Sequence, residues 1–165
     1  MMLPRSLFAV GVLFALCVML SLVHPWGNPR AGDEADKPLL AGSAVPIEVM
    51  RTIDGKCADC HSAKTHWPWY GRVAPGSWLM ERDVITGRSE LNLSLWERYT
   101  REQQMDLLTK IASEARSGQM PLKPYLMLHP RAKLTAEEQQ MLYDWAKAER
   151  RRIRQQGTAE PGGTH

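Results

Sequence analysis

CADCHSAKTHWPWY, residues 57–70, decides how this chain is read. Two cysteines and a histidine stand in the pattern C-x-x-C-H, and Trp67, Trp69 and Tyr70 follow closely. The chain has twelve aromatic residues, so three within four positions is a local concentration. The spacing has a chemical reason. Two thiols three residues apart on a helical turn can each add across one vinyl group of a haem. The adjacent imidazole then lies beneath the iron as proximal ligand. A thioredoxin-like C-x-x-C would need a βαβ setting, which this sequence lacks. Zinc held by Cys57, Cys60 and two of His61, His66 and His129 is a competing donor set. A Cys57–Cys60 disulfide closes a loop too tight for a usual structural staple. The expectation is one haem c, covalent through Cys57 and Cys60, with His61 on the iron.

At 165 residues there is room for one small domain with extensions. A net charge of +3, with acids and bases interspersed, argues against a nucleic-acid partner. Ser6 to Val23, SLFAVGVLFALCVMLSLV, carries no charge. As a helix it would reach about 27 Å, close to the ~30 Å hydrocarbon core. Arg5 precedes it and Trp26, suited to a membrane interface, follows. No small-x-small site comes soon after, so residues 1–24 are expected to be an uncleaved transmembrane anchor, with a signal segment as the rival. Cys17 reads as a small apolar side chain within that run. Residues 25–44, rich in Pro, Gly, Ala and Asp, read as a flexible tether, and 156–165 as a disordered tail.

Between them, residues 45–155 form the expected haem-binding domain. Pro46 opens a helix with Ile47, Met50, Ile53 and Cys57 at helical spacing. A second helix is expected from Gly76 to about Ile85, ended near Gly87. Thr100-x-x-Gln103 and Thr135-x-x-Glu138 are capping boxes, and Gly118 is a helix stop. The stretch MPLKPYLMLHP, 120–130, has three prolines and reads as extended. The fold class is therefore all-α, short helices around long loops, after one N-terminal transmembrane helix. Such a loop-rich domain lacks core of its own, and a large apolar prosthetic group would complete it.

The second axial ligand is expected from the proline-rich loop. Met120 precedes Pro121, and its 59-residue gap from His61 suits a return to the other haem face. Met127 and His129 share that loop, and an open sixth site is the remaining alternative. Pro75 is a candidate to offer its carbonyl to the other nitrogen of His61, or is simply a proline before a helix. Trp67 and Tyr70, with Trp69 and Trp78, either line the haem or fill core. Arg72, Arg82 and Arg88 are candidate partners for its propionates, or ordinary solvated arginines.

The full pattern is C-x-D-C-H-S, T-x-W-P-W-Y, A-P-x-S-W-L, L-N-x-S-x-W, M-P-L and H-P-x-A-x-L, running from Cys57 to Leu134. It resembles the bacterial haem-binding domain family of small c-type cytochromes, over roughly residues 45–150. That resemblance implies covalent haem at Cys57, Cys60 and His61, and a cytochrome c-like helical fold. The leading functional expectation is a membrane-tethered, non-enzymatic carrier of single electrons serving redox partners of a respiratory membrane. Because bacterial thioether attachment occurs outside the cytoplasmic membrane, a single-pass protein with its haem domain on the periplasmic side is expected. The alternative is a haem-based sensor or peroxide-reactive protein with an open or labile sixth position.

Overall fold

In the computed structural model, residues 5–29 and 37–159 are described. All regular elements among them are helical. They are α1 (Arg5–Leu20), α2 (Ile47–Lys56), α3 (Ala58–His61), α4 (Gly76–Glu90), α5 (Arg101–Ser117), α6 (Lys123–Leu128) and α7 (Ala136–Ala159). Three 3-10 turns, Trp69–Arg72, Leu93–Arg98 and Pro130–Ala132, join them.

The hairpin of α5 and α7 is the frame. Thr100 Oγ1 accepts the Gln103 N–H at 3.3 Å while Gln103 Oε1 accepts the Thr100 N–H at 2.8 Å, closing the expected capping box. Thr135 and Glu138 repeat it at 3.2 and 2.8 Å. Gly118, at φ 70°, turns the chain out of α5 in a conformation that costs other residues a Cβ clash. Leu107, Leu108, Ala112 and Ala115 of α5 are buried with Leu142, Trp145, Ala146 and Ile153 of α7. From α2 the core takes Val49 and Ile53, while Ile47 is exposed, so its buried face is rotated from the expected stripe.

The N-terminal expectation is corrected. The helix α1 stops at Leu20, where the Ser21 backbone N–H and hydroxyl both turn back to the Cys17 carbonyl. Its 16 residues reach only about 24 Å. None of the described helices is long and apolar enough to cross a membrane. A transmembrane helix is therefore not supported, nor is the single-pass membrane location with a periplasmic haem domain that rested on it. The residues after α1 do not extend a span; they bind α4. Ser21 Oγ accepts the Ala74 N–H at 2.9 Å, and the Val23 carbonyl accepts the Trp78 indole N–H at 2.8 Å. His24 Nδ1 meets the fully buried Glu81 carboxylate at 2.8 Å.

Part of the expected tether is also core. Leu39 and Leu40 are buried, and the Leu40 N–H donates to the Leu93 carbonyl at 2.9 Å. Ala44 is pinned to α7, its carbonyl accepting the Trp145 indole N–H at 3.0 Å. Residues 30–36 of that stretch lie outside the described residues. The helix α7 runs on to Ala159, four residues into the expected tail, and 160–165 lie outside the described residues. The 120–130 stretch is not wholly extended, because α6 forms within it. Its prolines allow this: Pro124 sits in the first turn, where no intrahelical N–H is needed, and Pro121 and Pro130 lie outside.

Candidate functional site

The C-x-x-C-H motif spans the corner between α2 and α3, with Cys57 as the residue between the two helices. Backbone N–H groups of Cys60 and His61 both donate to the Cys57 carbonyl, at 3.3 and 3.0 Å. This tight turn brings both thiols and the imidazole to one cavity of about 540 Å³. Its other walls come from α2, α4, α5, α7 and the 120–125 loop; their exposed surface is largely apolar, from residues such as Ile53, Leu91, Leu107, Ile111 and Leu142, with charged side chains such as Arg82 and Glu90 among them. The size falls within the range of cofactor pockets. No large group of the chain fills it.

The cysteines are free thiols. Burial, with the neighbouring Cys60 sulfur adding to it, pushes the Cys57 thiol up to about 12. Burial and then the Asp59 carboxylate push Cys60 to about 11. Both are neutral S–H groups near pH 7, poor at forming thiolate-driven disulfides or metal thiolates.

His61 is held differently from expectation. Its Nδ1 lies 2.9 Å from the Gly87 carbonyl and 3.1 Å from the Leu91 carbonyl. A carbonyl only accepts, so Nδ1 carries the proton and Nε2 keeps the lone pair for a ligand. The carbonyl for which Pro75 was one candidate comes from Gly87 and Leu91, and Pro75 has its other expected role, the proline before a helix. Pro75 is exposed, and its own carbonyl accepts the Leu79 N–H at 3.2 Å in the first turn of α4.

Gly87 was expected near the end of its helix, but α4 runs through it to Glu90. The reason for glycine there is contact. A Cβ at Gly87 would lie 2.6 Å from the Cys60 carbonyl oxygen and 3.2 Å from Cys60 Cβ. The α4 backbone therefore rests directly on the motif, which brings its carbonyl within reach of His61.

Of the three loop candidates for a second ligand, Met120 alone lines the cavity. Met127 is 83% exposed, and His129 is hydrogen-bonded through Nε2 to the Tyr70 hydroxyl and stacked on Tyr125 at 4.3 Å. Trp67 and Tyr70 are not among the cavity's lining residues, and Trp69 is 79% exposed. Tyr125, from the proline-rich loop, is the aromatic that lines it. Its hydroxyl donates to Asp59 Oδ2 at 3.1 Å, while Asp59 Oδ1 accepts the His66 N–H at 2.9 Å. Burial, then the Asp59 charge, pushes the Tyr125 phenol well up, so it stays a donor. The unnamed position Asp59 of the motif thus ties both flanking loops to the cavity rim.

Among the arginines, Arg82 reaches the cavity and Arg72 does not. Arg88 is a clamp: Nε donates to the Ser62 carbonyl at 2.8 Å, Nη1 to the Pro29 carbonyl at 2.8 Å and Nη2 to Thr65 Oγ1 at 3.1 Å. The zinc set does not assemble; no cluster of three His, Cys, Asp or Glu among the described residues is placed to hold a metal ion.

A family model described as a haem-binding domain matches residues 15–148, most of the chain. The chain belongs to the haem-binding domain family. No curated protein and no solved structure matches it. The matched region takes in the residues after α1 and the Leu39–Leu40 segment as well as the motif, in keeping with their packing on α4 and in the core. The residues present fit haem on their chemistry. An aliphatic cavity carries an imidazole lone pair, two neutral thiols and a thioether, and the haem-binding domain would complete its core around a flat apolar ring.

Proposed function

We propose that this haem-binding domain holds one haem covalently through thioethers from Cys57 and Cys60, with His61 and Met120 as the residues that would bind its iron, and carries single electrons. What supports the reading is that four residues with donor groups, Cys57, Cys60, His61 and Met120, line one cavity whose surface is largely apolar. When bound, haem supplies a one-electron iron couple, whose potential His/Met ligation raises.

The rest falls to the chain. Cys57 and Cys60, kept as neutral thiols by burial, would hold the group through thioethers. The Gly87 and Leu91 carbonyls hold the tautomer and orientation of His61. The aliphatic walls exclude water and keep the local dielectric low. Around the mouth, charges of both signs alternate, with Lys110 and Glu90 3.4 Å apart and Arg82 and Asp83 3.0 Å apart. This mixed rim is the docking face for redox partner proteins of a respiratory membrane. No acid, base or nucleophile is needed, and the reading assigns the chain no enzymatic reaction.

The test is spectroscopic. Expressed with a cytochrome c maturation system, the protein should carry haem that resists acid-acetone extraction. Met120→Ala should abolish the sulfur-to-iron charge-transfer band, lower the reduction potential and admit carbon monoxide to the ferrous form. Wild-type protein that binds carbon monoxide readily, with a spectrum unchanged by Met120→Ala, would replace the carrier with the open-site sensor. Freely extractable haem would end the covalent assignment.

A further inference from the structure

The other face of α5 carries a second concave site. A groove of about 510 Å³ runs between α5 and α7, lined by Ser113, Arg116, Ser117, Tyr143, Lys147 and Arg150 with their neighbours. None of its residues lines the haem cavity, except that Ala115 of the cavity and Arg116 of the groove are adjacent in sequence. Three cations line it and no carboxylate does.

Carboxylates near by in sequence are engaged elsewhere. Glu149 accepts Arg152 Nε at 2.7 Å and the Ala44 N–H at 3.3 Å, and Asp144 accepts the Gln140 amide at 2.9 Å. Arg116, Lys147 and Arg150 have no ion-pair partner among the described residues. The Arg116 guanidinium lies 4.5 Å over the Tyr143 ring. That stacking holds its plane while leaving the N–H edge for an acceptor. Arg150 Nε is buried and has no acceptor. A buried donor without a partner costs free energy, and native chains seldom leave one so.

We propose that this groove binds a phosphate group carried on a small molecule. A phosphate offers three acceptor oxygens and about two negative charges, matching two guanidinium edges and one ammonium. The volume exceeds what one inorganic ion fills, so a phosphomonoester is the fitting class. The site stands on a packed two-helix frame, and Arg116 is held over Tyr143 before the ligand arrives. It is independent of the haem ligands.

The experiment titrates haem-loaded protein with inorganic phosphate, with glycerol 3-phosphate and with sodium chloride at matched ionic strength, followed by amide chemical shifts. Saturable shifts centred on residues 113–117 and 143–150 are expected with the ester, and weaker binding with inorganic phosphate. Lys147→Gln and Arg150→Gln should each weaken the ester about tenfold, the loss of one charged hydrogen bond. Lys147 is exposed, so its variant should fold, and the unchanged haem spectrum checks both. Equal shifts with sodium chloride, or variants that bind like the wild type, would overturn the site. So would inorganic phosphate binding as tightly as the ester, since the ester class would then be wrong.

Discussion

Gly87→Ala tests the contact that sets the imidazole. The new Cβ would stand 2.6 Å from the Cys60 carbonyl oxygen, a backbone atom that no side-chain rotation can move. To reach 3.4 Å, where ordinary contact begins, α4 and the motif must part by about 0.8 Å. Moved along the same line, the 2.9 Å His61–Gly87 hydrogen bond would lengthen to about 3.7 Å, outside bonding range. Overpacking of this kind costs about 1–3 kcal/mol and the lost bond about 1 kcal/mol. Alanine's better helix propensity returns about 1 kcal/mol. A net loss of about 1–3 kcal/mol is expected from urea denaturation of the haem-loaded protein. The reduction potential should also rise, because an imidazole that loses the nearer of its two carbonyl partners donates less to iron. Gly55→Ala is the control. It lies in α2 with no atom within 4 Å of the added Cβ, and should stabilise by about 0.5–1 kcal/mol. A Gly87→Ala protein as stable as wild type, with an unmoved potential, would refute the reasoning.

Three further outcomes are expected. Haem-free protein should lose stability as pH rises from 9 through 11 to 12, because the folded state holds the thiol protons of Cys57 and Cys60 more tightly than the unfolded chain does. Haem-loaded protein, with both sulfurs in thioethers, should not show that loss, and matching alkaline profiles of the two forms would contradict the assignment. Arg88→Ala removes three hydrogen bonds joining Pro29, Ser62 and Thr65 and should cost about 2–4 kcal/mol in chemical denaturation. Arg88→Lys should recover little, since one ammonium cannot reproduce the planar fork. Leu40→Ala should cost about 2–5 kcal/mol, as for any buried leucine, whereas a residue of a loose tether would show no change in the denaturation midpoint.

What could be read locally was read well. The two capping boxes and the Gly118 stop depend on residues within three or four positions of each other, so their chemistry is complete in the sequence. The C-x-x-C-H turn is likewise local, and it pointed to the haem-binding domain family to which the chain belongs. Errors came where a segment's partner lay far along the chain. Ser6 to Val23 has the composition of a span, yet Ser21, Val23 and His24 are drawn off by Ala74, Trp78 and Glu81, more than 50 residues on. Leu39 and Leu40 sit among tether-like residues, and only Leu93 and the core say that they are buried.

The site divides along the same line. Cys57, Cys60 and His61 were legible as candidates because two thiols and an imidazole at that spacing are a matter of residue type alone, whatever surrounds them. Which carbonyl faces His61 was not, since Gly87 and Leu91 approach it only through the packing of α4 on α3. Met120 was already preferred among the three donors of its loop, because Pro121 follows it, and it alone of the three lines the cavity. The helix α6, which begins after Met120, leaves Met127 exposed and delivers His129 to Tyr70. The sequence by itself determined the donor atoms, because bonding chemistry is a property of residue type and short spacing. Tertiary structure alone decided their tautomer, their burial and which of them share a cavity, because those depend on contacts between residues far apart in the chain.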